Sequence, residues 1–310
     1  MIYTVTLNPA IDYYVVMKEF VEGNLNTAEE GYTLAGGKGI NVSKVLKNFG
    51  KESVALGFVG GFTGSFIKDD MKACNIAERF IELEENTRIN MKLKTEKTES
   101  EIAGKSPKIS KENIEKLLDE IKNIKKDDIL ILSGSVPNTI DKGIYGEIIE
   151  KLPEGTKVIL DTRGEPFTKA LDKGVFITKP NIDELSEFFH KKLETTEEIV
   201  EAGKKLRAMG SKNVIISMGK EGSILISEKG VYKGNAPKGK LISSVGAGDS
   251  MVAGITYGLI EGKELEEAYK FGIASGSATA FTEGLTTFEE MQKLLDDINI
   301  KKMGGEKDVK

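Results

Sequence analysis

The chain has 310 residues, which is enough for one large hydrophobic core or two modest ones. Its composition, with 30% charged and 39% hydrophobic residues, is ordinary for a soluble globular protein. The formal net charge of −5 argues against a nucleic-acid partner, because proteins that bind nucleic acid normally carry a basic excess. An anionic ligand would therefore need a local cluster of cationic side chains.

Cysteine and histidine usage excludes further classes of protein. The single cysteine, Cys74, excludes an internal disulfide. The single histidine, His190, excludes a multi-histidine zinc site and leaves no second histidine for a Ser-His-Asp triad. The sequence does not open on a basic region followed by an apolar run, and no stretch approaches about 18 uninterrupted apolar residues. We therefore expect a cytoplasmic enzyme without a membrane partner.

Short apolar runs alternate with amphipathic stretches along the chain. The runs that predict strands are residues 1–7, 54–59, 129–132, 157–160, 175–178, 214–217 and 224–227. The stretches that predict helices lie near residues 64–74, 111–124, 141–151, 196–209, 264–281 and 287–298. This alternation predicts an α/β fold in which helices cover both faces of a mainly parallel sheet. A tight turn at Gly219–Gly222 predicts an antiparallel pair of strands at one edge of that sheet.

Residues 11–35 and 87–103 differ from the rest of the chain, because they contain short, partly alternating segments instead of amphipathic helices. They predict a small β-structured lid that excludes water from a site beneath it. Residues 1–10, 36–86 and 104–300 then form the α/β core, and residues 301–310 form a polar tail.

Residues 36–41, which read Gly-Gly-Lys-Gly-Ile-Asn, form a first glycine turn ahead of a helical pattern. The glycines around Lys38 predict a backbone pocket for an anionic or polyhydroxylated ligand. Asn41 can donate and accept hydrogen bonds at once, which suits a pair of sugar hydroxyls. The alternative is a tight turn with a solvated lysine. Asp12 follows the first predicted strand, where open α/β sheets place ligand-binding groups, although it could be an ordinary loop carboxylate.

Residues 246–250, which read Gly-Ala-Gly-Asp-Ser, form a second glycine turn ahead of another helical pattern. The first turn of a helix has unpaired N–H groups and a partial positive charge, and glycine lets an anion approach them closely. Asp249 could accept a proton from a substrate hydroxyl at the same place. An anion hole beside a base is what phosphoryl transfer to an alcohol requires. The alternative is that Asp249 only caps the helix.

Two other phosphate-binding motifs are absent. A Walker A loop is excluded, because Glu99 stands where the only Gly-Lys-Ser, at residues 104–106, would need a glycine. The dinucleotide fingerprint Gly-x-Gly-x-x-Gly fails at both glycine turns, where Val42 and Met251 occupy the third glycine position. A nicotinamide-dependent dehydrogenase therefore loses its main support.

Further motifs are Leu-Asn-Pro-Ala-Ile-Asp at 7–12, Thr-Arg-Ile-Asn at 87–90, Ser-Gly-Ser-Val-Pro at 133–137, Lys-Pro-Asn-Ile-Asp-Glu at 179–184 and Ser-Met-Gly-Lys-Glu-Gly at 217–222. With the two glycine turns, this ordered set resembles the ribokinase-type carbohydrate kinases. Within them it is most similar to the phosphofructokinase B branch, which contains 1-phosphofructokinase and tagatose-6-phosphate kinase. The resemblance extends to about position 285 and implies a ribokinase-like three-layer αβα sandwich with a small β lid.

The resemblance implies transfer of the γ-phosphoryl group of ATP to a hydroxyl of a phosphorylated ketohexose, with ATP and Mg²⁺ as cofactors. Asp249 matches the catalytic base, and the backbone N–H groups of Gly246, Ala247 and Gly248 match the anion hole. Nucleotide-binding positions are matched by Asn181, Ser217, Gly219, Gly222 and Gly248. Asn181 and Glu184 match the element that organises magnesium, partly through water. For Glu184 the alternative is an ordinary carboxylate in the first turn of a helix.

Sugar-contacting positions are matched by Asp12, Gly37, Asn41 and Ser135. The phosphate that the substrate already carries needs cations, for which Arg88 is the first candidate, followed by Lys38 and Arg163. Relatives that use fructose 6-phosphate carry a lysine near position 25, whereas residues 23–26 here read Gly-Asn-Leu-Asn. This departure argues against fructose 6-phosphate as the substrate.

The motifs are most similar to the subgroup that converts fructose 1-phosphate to fructose 1,6-bisphosphate. Tagatose 6-phosphate is the alternative acceptor, because the two subgroups share nearly every motif. A non-catalytic sugar-phosphate sensor with the same pocket belongs to a different class, and the intact Asp249 with its flanking glycines argues against it. Family members often dimerise through the lid, and we expect a homodimer of that kind here.

Overall fold

The computed structural model describes residues 1–304, which form two β-sheets and ten α-helices. The strands are β1 (Ile2–Thr6), β2 (Ala10–Val16), β3 (Glu30–Gly36), β4 (Val54–Gly60), β5 (Ala77–Leu83), β6 (Ile89–Lys94), β7 (Glu99–Ile102), β8 (Ile129–Ser133), β9 (Lys157–Asp161), β10 (Val175–Thr178), β11 (Ser211–Ser217), β12 (Ser223–Ser227), β13 (Gly230–Gly234) and β14 (Ile300–Met303). The helices are α1 (Lys38–Asn48), α2 (Gly61–Ala73), α3 (Lys111–Ile121), α4 (Ile144–Glu150), α5 (Glu165–Leu171), α6 (Ile182–Phe188), α7 (Thr196–Ala208), α8 (Ala247–Ile260), α9 (Leu265–Phe281) and α10 (Phe288–Leu294).

The larger sheet has ten strands in the order β14-β13-β12-β11-β10-β9-β8-β1-β4-β5. Neighbouring strands from β11 to β5 in that order run parallel, and those from β11 to β14 run antiparallel. The sheet is therefore mainly parallel, as the alternation of apolar runs and amphipathic stretches predicts.

Both faces of this sheet are covered by helices. Leu132 of β8 lies in a buried cluster with Leu117 of α3 on one face. Ile131, the residue before it, lies in a second buried cluster with Val45 of α1 and Val252 of α8 on the other. Successive side chains of a strand point to opposite faces, so one strand supplies both clusters. The predicted three-layer α/β architecture is confirmed.

The antiparallel edge is larger than the sequence predicts. β11 and β12 pair antiparallel across the turn at Gly219–Gly222, as expected, but they do not form the edge, because β13 and β14 extend the sheet beyond them. Both added strands are short and partly polar, so neither has the apolar run by which buried strands are recognised. Residues 301–303, expected in the polar tail, lie in β14. Residues 305–310 of that tail are outside the described residues.

The smaller sheet has the strand order β3-β2-β6-β7 and is built from the segments expected to form the lid. β2 and β3 pair antiparallel, and the rings of Tyr14 and Tyr32 stack across them with centroids 4.7 Å apart. β3 ends at Gly36 and leads directly into α1, so this sheet adjoins the first glycine turn. None of the helices within residues 1–304 combines the length and apolar character needed to cross a bilayer.

The carboxyl ends of the central parallel strands meet at one edge of the larger sheet. The register pairs Val5 of β1 with Leu132 of β8, and Ser133 of β8 with Asp161 of β9, so the last residues of these strands form a row. In open α/β sheets the ligand lies at this edge, and both glycine turns are found there.

Candidate functional site

The two glycine turns meet. Asn41 of α1 donates a hydrogen bond from Nδ2 to Oδ2 of Asp249 in α8 over 2.8 Å, although the residues are 208 positions apart in the sequence. α1 and α8 pack against each other on the same face of the larger sheet. Because the two turns meet across one cleft, residues of both can contribute to a single site.

The second glycine turn has an open backbone at the start of α8. Gly246 has a φ of 78° and occupies the left-handed region, and no side chain caps the helix. The Ala247 N–H, one of the three expected in the anion hole, already donates to the Ser244 carbonyl over 3.3 Å. It is therefore not free to bind an anion in this structure. A Cβ on Gly248 would lie 3.1 Å from the ammonium nitrogen of Lys179. Glycine at this position therefore leaves room between the helix start and a cation.

Asp249 lies in the first turn of α8 and is buried. Burial raises the pKa of this carboxyl to about 6, and the nearby Asp161 carboxylate also raises it, against the opposing effects of Lys38, the Asn41 hydrogen bond and Lys179. A carboxyl with this pKa is ionised at neutral pH and still basic enough to accept a proton.

A buried ion cluster lies beside Asp249. Asp161, 2% exposed, accepts from Lys38 Nζ at 3.2 Å, and Lys179 Nζ is 3.6 Å from the same oxygen. Burial raises the pKa of Asp161, but the attraction of Lys179 and Lys38 outweighs it and holds the pKa below its ordinary value. Burial lowers the pKa of Lys38, and the surrounding carboxylates, chiefly Asp161, outweigh that effect and raise it. Asp161 and Lys38 are therefore both charged at neutral pH.

The expected sugar-binding residue Asp12 lies on β2 of the smaller sheet. Its Oδ1 accepts a hydrogen bond from Asn90 Nδ2 over 2.8 Å. A Cβ on Gly36 would approach Asp12 Oδ2 to 2.4 Å, so glycine is needed where the first glycine turn passes this carboxylate. Gly37 has a φ of 140°, in the region that favours glycine, and precedes Lys38, the first residue of α1.

Arg88, directly before β6, is held by the backbone that follows β1. Its guanidinium donates to the carbonyl oxygens of Asn8 over 3.0 Å and of Pro9 over 3.4 Å. The Asn8 side chain in turn donates to Ser135 Oγ over 3.2 Å. These contacts connect two of the expected substrate-binding residues, Arg88 and Ser135, around the end of β1.

Asn181 and Glu184, the expected magnesium element, form a capping box at the start of α6. Asn181 Oδ1 accepts from the Glu184 N–H over 2.7 Å, and Glu184 Oε2 accepts from the Asn181 N–H over 3.0 Å. Glu184 is thus also a carboxylate in the first turn of a helix, which is the alternative given for it. Glu184 also contributes to the raised pKa of Lys38, which places this carboxylate near the ion cluster. Within residues 1–304 no cluster of three or more His, Cys, Asp or Glu side chains could hold a metal ion.

The expected nucleotide loop adjoins Asn181. Ser217, the last residue of β11, donates its N–H to the Pro180 carbonyl over 3.0 Å and forms a bridge with Asn181. Gly219 begins the 3₁₀ turn Gly219–Glu221 and Gly222 follows it, both with positive φ. A Cβ on Gly222 would clash with the Gly234 carbonyl oxygen, so the close approach of these two backbone segments requires glycine here whether or not a nucleotide binds.

The structure does not join Arg163 to these groups. It is exposed and makes no hydrogen bond or ion pair with any residue in the described part of the chain. The feature it shares with them is a cavity of about 520 Å³ between α5 and α6, which Glu184 of the expected magnesium element also lines and where Phe167, Phe188 and Phe189 form the apolar wall. Arg163 is therefore the least supported of the three cations expected near the substrate phosphate.

Sequence reasoning missed four residues of this region as site residues: Asn8, Asn90, Asp161 and Lys179. Asn8, Asn90 and Lys179 lie inside motifs of the resemblance and Asp161 lies two residues before Arg163, but none has a local pattern that predicts a binding role. The signal that could have found Asp161 and Lys179 is their position just at or after the ends of neighbouring parallel strands.

Comparison with known proteins adds to this geometry. The family described as pfkB family carbohydrate kinase matches residues 5–291. Proteins named 1-phosphofructokinase from Borreliella burgdorferi and Bacillus subtilis are each 44% identical to the chain; the matches cover 97% and 98% of it, and 98% and 100% of theirs. Tagatose-6-phosphate kinase from Staphylococcus epidermidis is 33% identical over 97% of this chain and 100% of its own.

Solved structures agree with this likeness. Phosphofructokinase-2 from Escherichia coli in complex with fructose-6-phosphate has a TM-score of 0.87 and 27% identity, covering 95% of this chain and 98% of that one. Ribokinase from Arabidopsis thaliana, at 24% identity and a TM-score of 0.78 over 95% of this chain and 98% of its own, shows the likeness of fold alone. The expected ribokinase-like fold is confirmed.

The raised pKa of Asp249 predicts that the ionised carboxylate destabilises the folded protein. An aspartate ordinarily titrates at about 4, so a folded-state pKa of about 6 means that the free energy of unfolding falls as the pH rises through this interval. Asp249→Asn has no proton to lose. Relative to wild type, this variant should gain stability between about pH 4 and pH 7, on the order of 2–3 kcal/mol.

Urea unfolding of both proteins across that pH range measures this difference. The exposed Asp69→Asn in α2, at a carboxylate that makes no ion pair among the described residues, is the matched control. A difference between Asp249→Asn and wild type that is independent of pH would contradict the raised pKa.

Proposed function

Because the chain belongs to the pfkB family of carbohydrate kinases and is an ATP-dependent sugar-phosphate kinase, we propose that its acceptor is fructose 1-phosphate and its product fructose 1,6-bisphosphate. The proteins named 1-phosphofructokinase match the chain at 44% identity over nearly its whole length, against 33% for the tagatose-6-phosphate kinase. The observation that supports phosphoryl transfer most directly is the Asn41–Asp249 hydrogen bond, which brings the first glycine turn to a buried carboxylate at a helix start.

In this proposal Asp249 is the base. Asn41 holds Oδ2, while Oδ1 accepts no hydrogen bond within the described residues and is available to the substrate hydroxyl. The C6 hydroxyl oxygen bonds to the γ-phosphorus of ATP, the bond from that phosphorus to the β,γ-bridging oxygen breaks, and ADP leaves. Asp249 takes the hydroxyl proton. A loose transition state needs this proton transfer only late, so a pKa of about 6 is sufficient.

The start of α8 and Lys179 stabilise the charge that the migrating phosphoryl group carries. Of the backbone groups at residues 246–248, the Gly248 N–H has no acceptor in the described residues, whereas the Ala247 N–H is bonded to Ser244. Lys179 lies beside Gly248 and is 5% exposed, so its ammonium acts where water screens little. Helix N–H groups and a cation fixed in advance are the arrangement that phosphoryl transfer uses.

The sugar phosphate binds between the first glycine turn and the smaller sheet. Asp12, Gly37, Asn41 and Ser135 contact the sugar hydroxyls. Arg88 binds the phosphate that the sugar already carries, because two backbone carbonyls fix its guanidinium and leave other N–H groups for the ligand. Lys38 is the second cation, and Arg163 is not needed in this arrangement.

Asn181, Ser217, Gly219 and Gly222 bind the nucleotide. The residues near the expected metal position fit magnesium, because Glu184 Oε1 takes part in no hydrogen bond of the described residues and a single carboxylate oxygen suits an ion that keeps several waters and binds substrate phosphates. When bound, Mg²⁺ would neutralise charge on the phosphates of ATP. The capping box holds Glu184 and Asn181 in fixed orientations for this contact.

The smaller sheet forms a dimer interface in this proposal. It exposes large apolar side chains on both faces, including Leu34, 50% exposed, and Ile102, 59% exposed. Leu34 lies opposite Asp12 and Ile102 opposite Met91, which places the two on different faces. An isolated sheet of four strands with apolar groups on both sides favours a partner surface, and a second copy supplies one.

Parallel assays with ATP and Mg²⁺ test the substrate. We expect turnover on fructose 1-phosphate to exceed turnover on tagatose 6-phosphate and fructose 6-phosphate, measured as kcat/KM from ADP formation. A large excess on tagatose 6-phosphate would overturn the choice of acceptor. Binding of sugar phosphate without ADP formation from any acceptor would contradict the kinase and favour a sensor.

Sedimentation velocity tests the interface. We expect the wild type to sediment as a dimer and the double variant Leu34→Lys/Ile102→Lys, which places a charge on each face of the smaller sheet, as a monomer. Ile260→Lys, at a partly exposed apolar residue at the end of α8, is the control and should stay dimeric. A dimeric double variant, or a monomeric wild type, would rule out this interface.

A further inference from the structure

A row of buried oxygens crosses the three central strands under the site. Thr6, Ser133 and Asp161 end β1, β8 and β9, and the strand register places them side by side. Thr6 Oγ1, Ser133 Oγ and Asp161 Oδ2 are all buried, and none has a hydrogen-bond partner among the described residues. Asp161 is the charged member of this row, and its carboxylate also contacts two cations.

The two cations that contact Asp161 come from opposite sides of the site. Lys38 belongs to the first glycine turn, and its ammonium is 3.2 Å from Asp161 Oδ1. Lys179 follows β10 and lies beside Gly248 of the second glycine turn, with its ammonium 3.6 Å from the same oxygen. One carboxylate oxygen thus serves both lysines, while the other oxygen is free to accept either of them.

We propose that Asp161 is a positioning residue that holds Lys38 and Lys179 together and thereby couples the sugar-phosphate side of the site to the phosphoryl-transfer side. The inference rests on the proposed kinase function. Neither lysine has another carboxylate within ion-pair distance in the described part of the chain. Without Asp161, the ammonium groups of the buried Lys179 and the partly exposed Lys38 would lie close together and would repel each other.

The coupling follows from this shared anchor. When an anionic ligand attracts one of the two lysines away from Asp161, the other lysine remains paired with the Asp161 carboxylate and keeps its position. A phosphoryl group misplaced by about 1 Å costs on the order of 10²-fold in rate, so the position of Lys179 beside Gly248 matters for turnover. Asp161 itself touches no substrate in this account and acts only through the two lysines.

Asp161→Asn tests the role, because it keeps the shape of the side chain and removes the charge. We expect kcat/KM to fall by about 10²-fold, with the KM rising for both fructose 1-phosphate and MgATP. Removing the carboxylate also removes a repulsive neighbour of Asp249, so the acid limb of the pH–rate profile should move to lower pH. A loss of packing alone would not shift the profile in that direction.

Ser133→Ala is the matched control. Ser133 lies beside Asp161 in the same row, is equally buried, and has an unpartnered hydroxyl, but it contacts neither lysine. This variant should keep the kinetic constants and pH profile of the wild type. Constants for Asp161→Asn that equal those of Ser133→Ala would overturn the proposal.

Thermal melting shows whether Asp161→Asn folds. If it does not, a double-mutant cycle on the two lysines tests the proposal instead. Lys38→Met and Lys179→Met, alone and together, should affect kcat/KM less than additively if one carboxylate couples them. Strictly additive effects would overturn the proposal.

Calorimetric binding of ADP and fructose 1-phosphate separates this inference from the proposed function. An inactive wild type would contradict the function, and weaker binding of both ligands by Asp161→Asn than by Ser133→Ala would still support the role of Asp161. Equal binding by the two variants would overturn that role.

Discussion

The hydrogen bond between Asn41 and Asp249 is the contact on which the site depends. It joins the first turns of α1 and α8 at one edge of the larger sheet, so both glycine turns open onto the same cleft. The bond also fixes one oxygen of a carboxylate whose burial is costly, and the pKa of about 6 measures part of that cost. Under the proposed function, the protein loses stability by burying Asp249 and gains a base at the site, which is the balance expected at a catalytic position.

Around that contact, the charges are arranged so that each anion has a cation within reach. Asp161 and Asp249 face Lys38 and Lys179 in a pocket at the ends of β9 and β10. Asp161, Asp249 and Lys179 are buried there, so the interactions among these three groups are stronger than they would be at the surface. The net charge of −5 does not exclude anionic substrates, because Arg88, Lys38 and Lys179 supply positive groups at this edge of the larger sheet.

Local patterns predicted much of the fold, and less of the site. The glycine turns were recognisable because glycine and a following helical pattern leave a signature over a few residues. Asp161 and Lys179 were not recognised as site residues, because single polar residues at strand ends acquire their meaning only when neighbouring strands align. Arg163 shows the converse: it follows the end of β9, yet it is exposed and bonded to none of the expected substrate-binding residues. The strands β13 and β14 were missed because they are short and are specified by pairing with their neighbours.

The most direct test of the account is the turnover number of Asp249→Asn with fructose 1-phosphate and MgATP, beside calorimetric binding of ADP to the same protein. We expect kcat to fall on the order of 10³-fold while ADP affinity stays close to that of the wild type, because the substitution removes the proton acceptor and preserves the shape of the cleft. A variant that turns over at nearly the wild-type rate would contradict the assignment of Asp249 as the base.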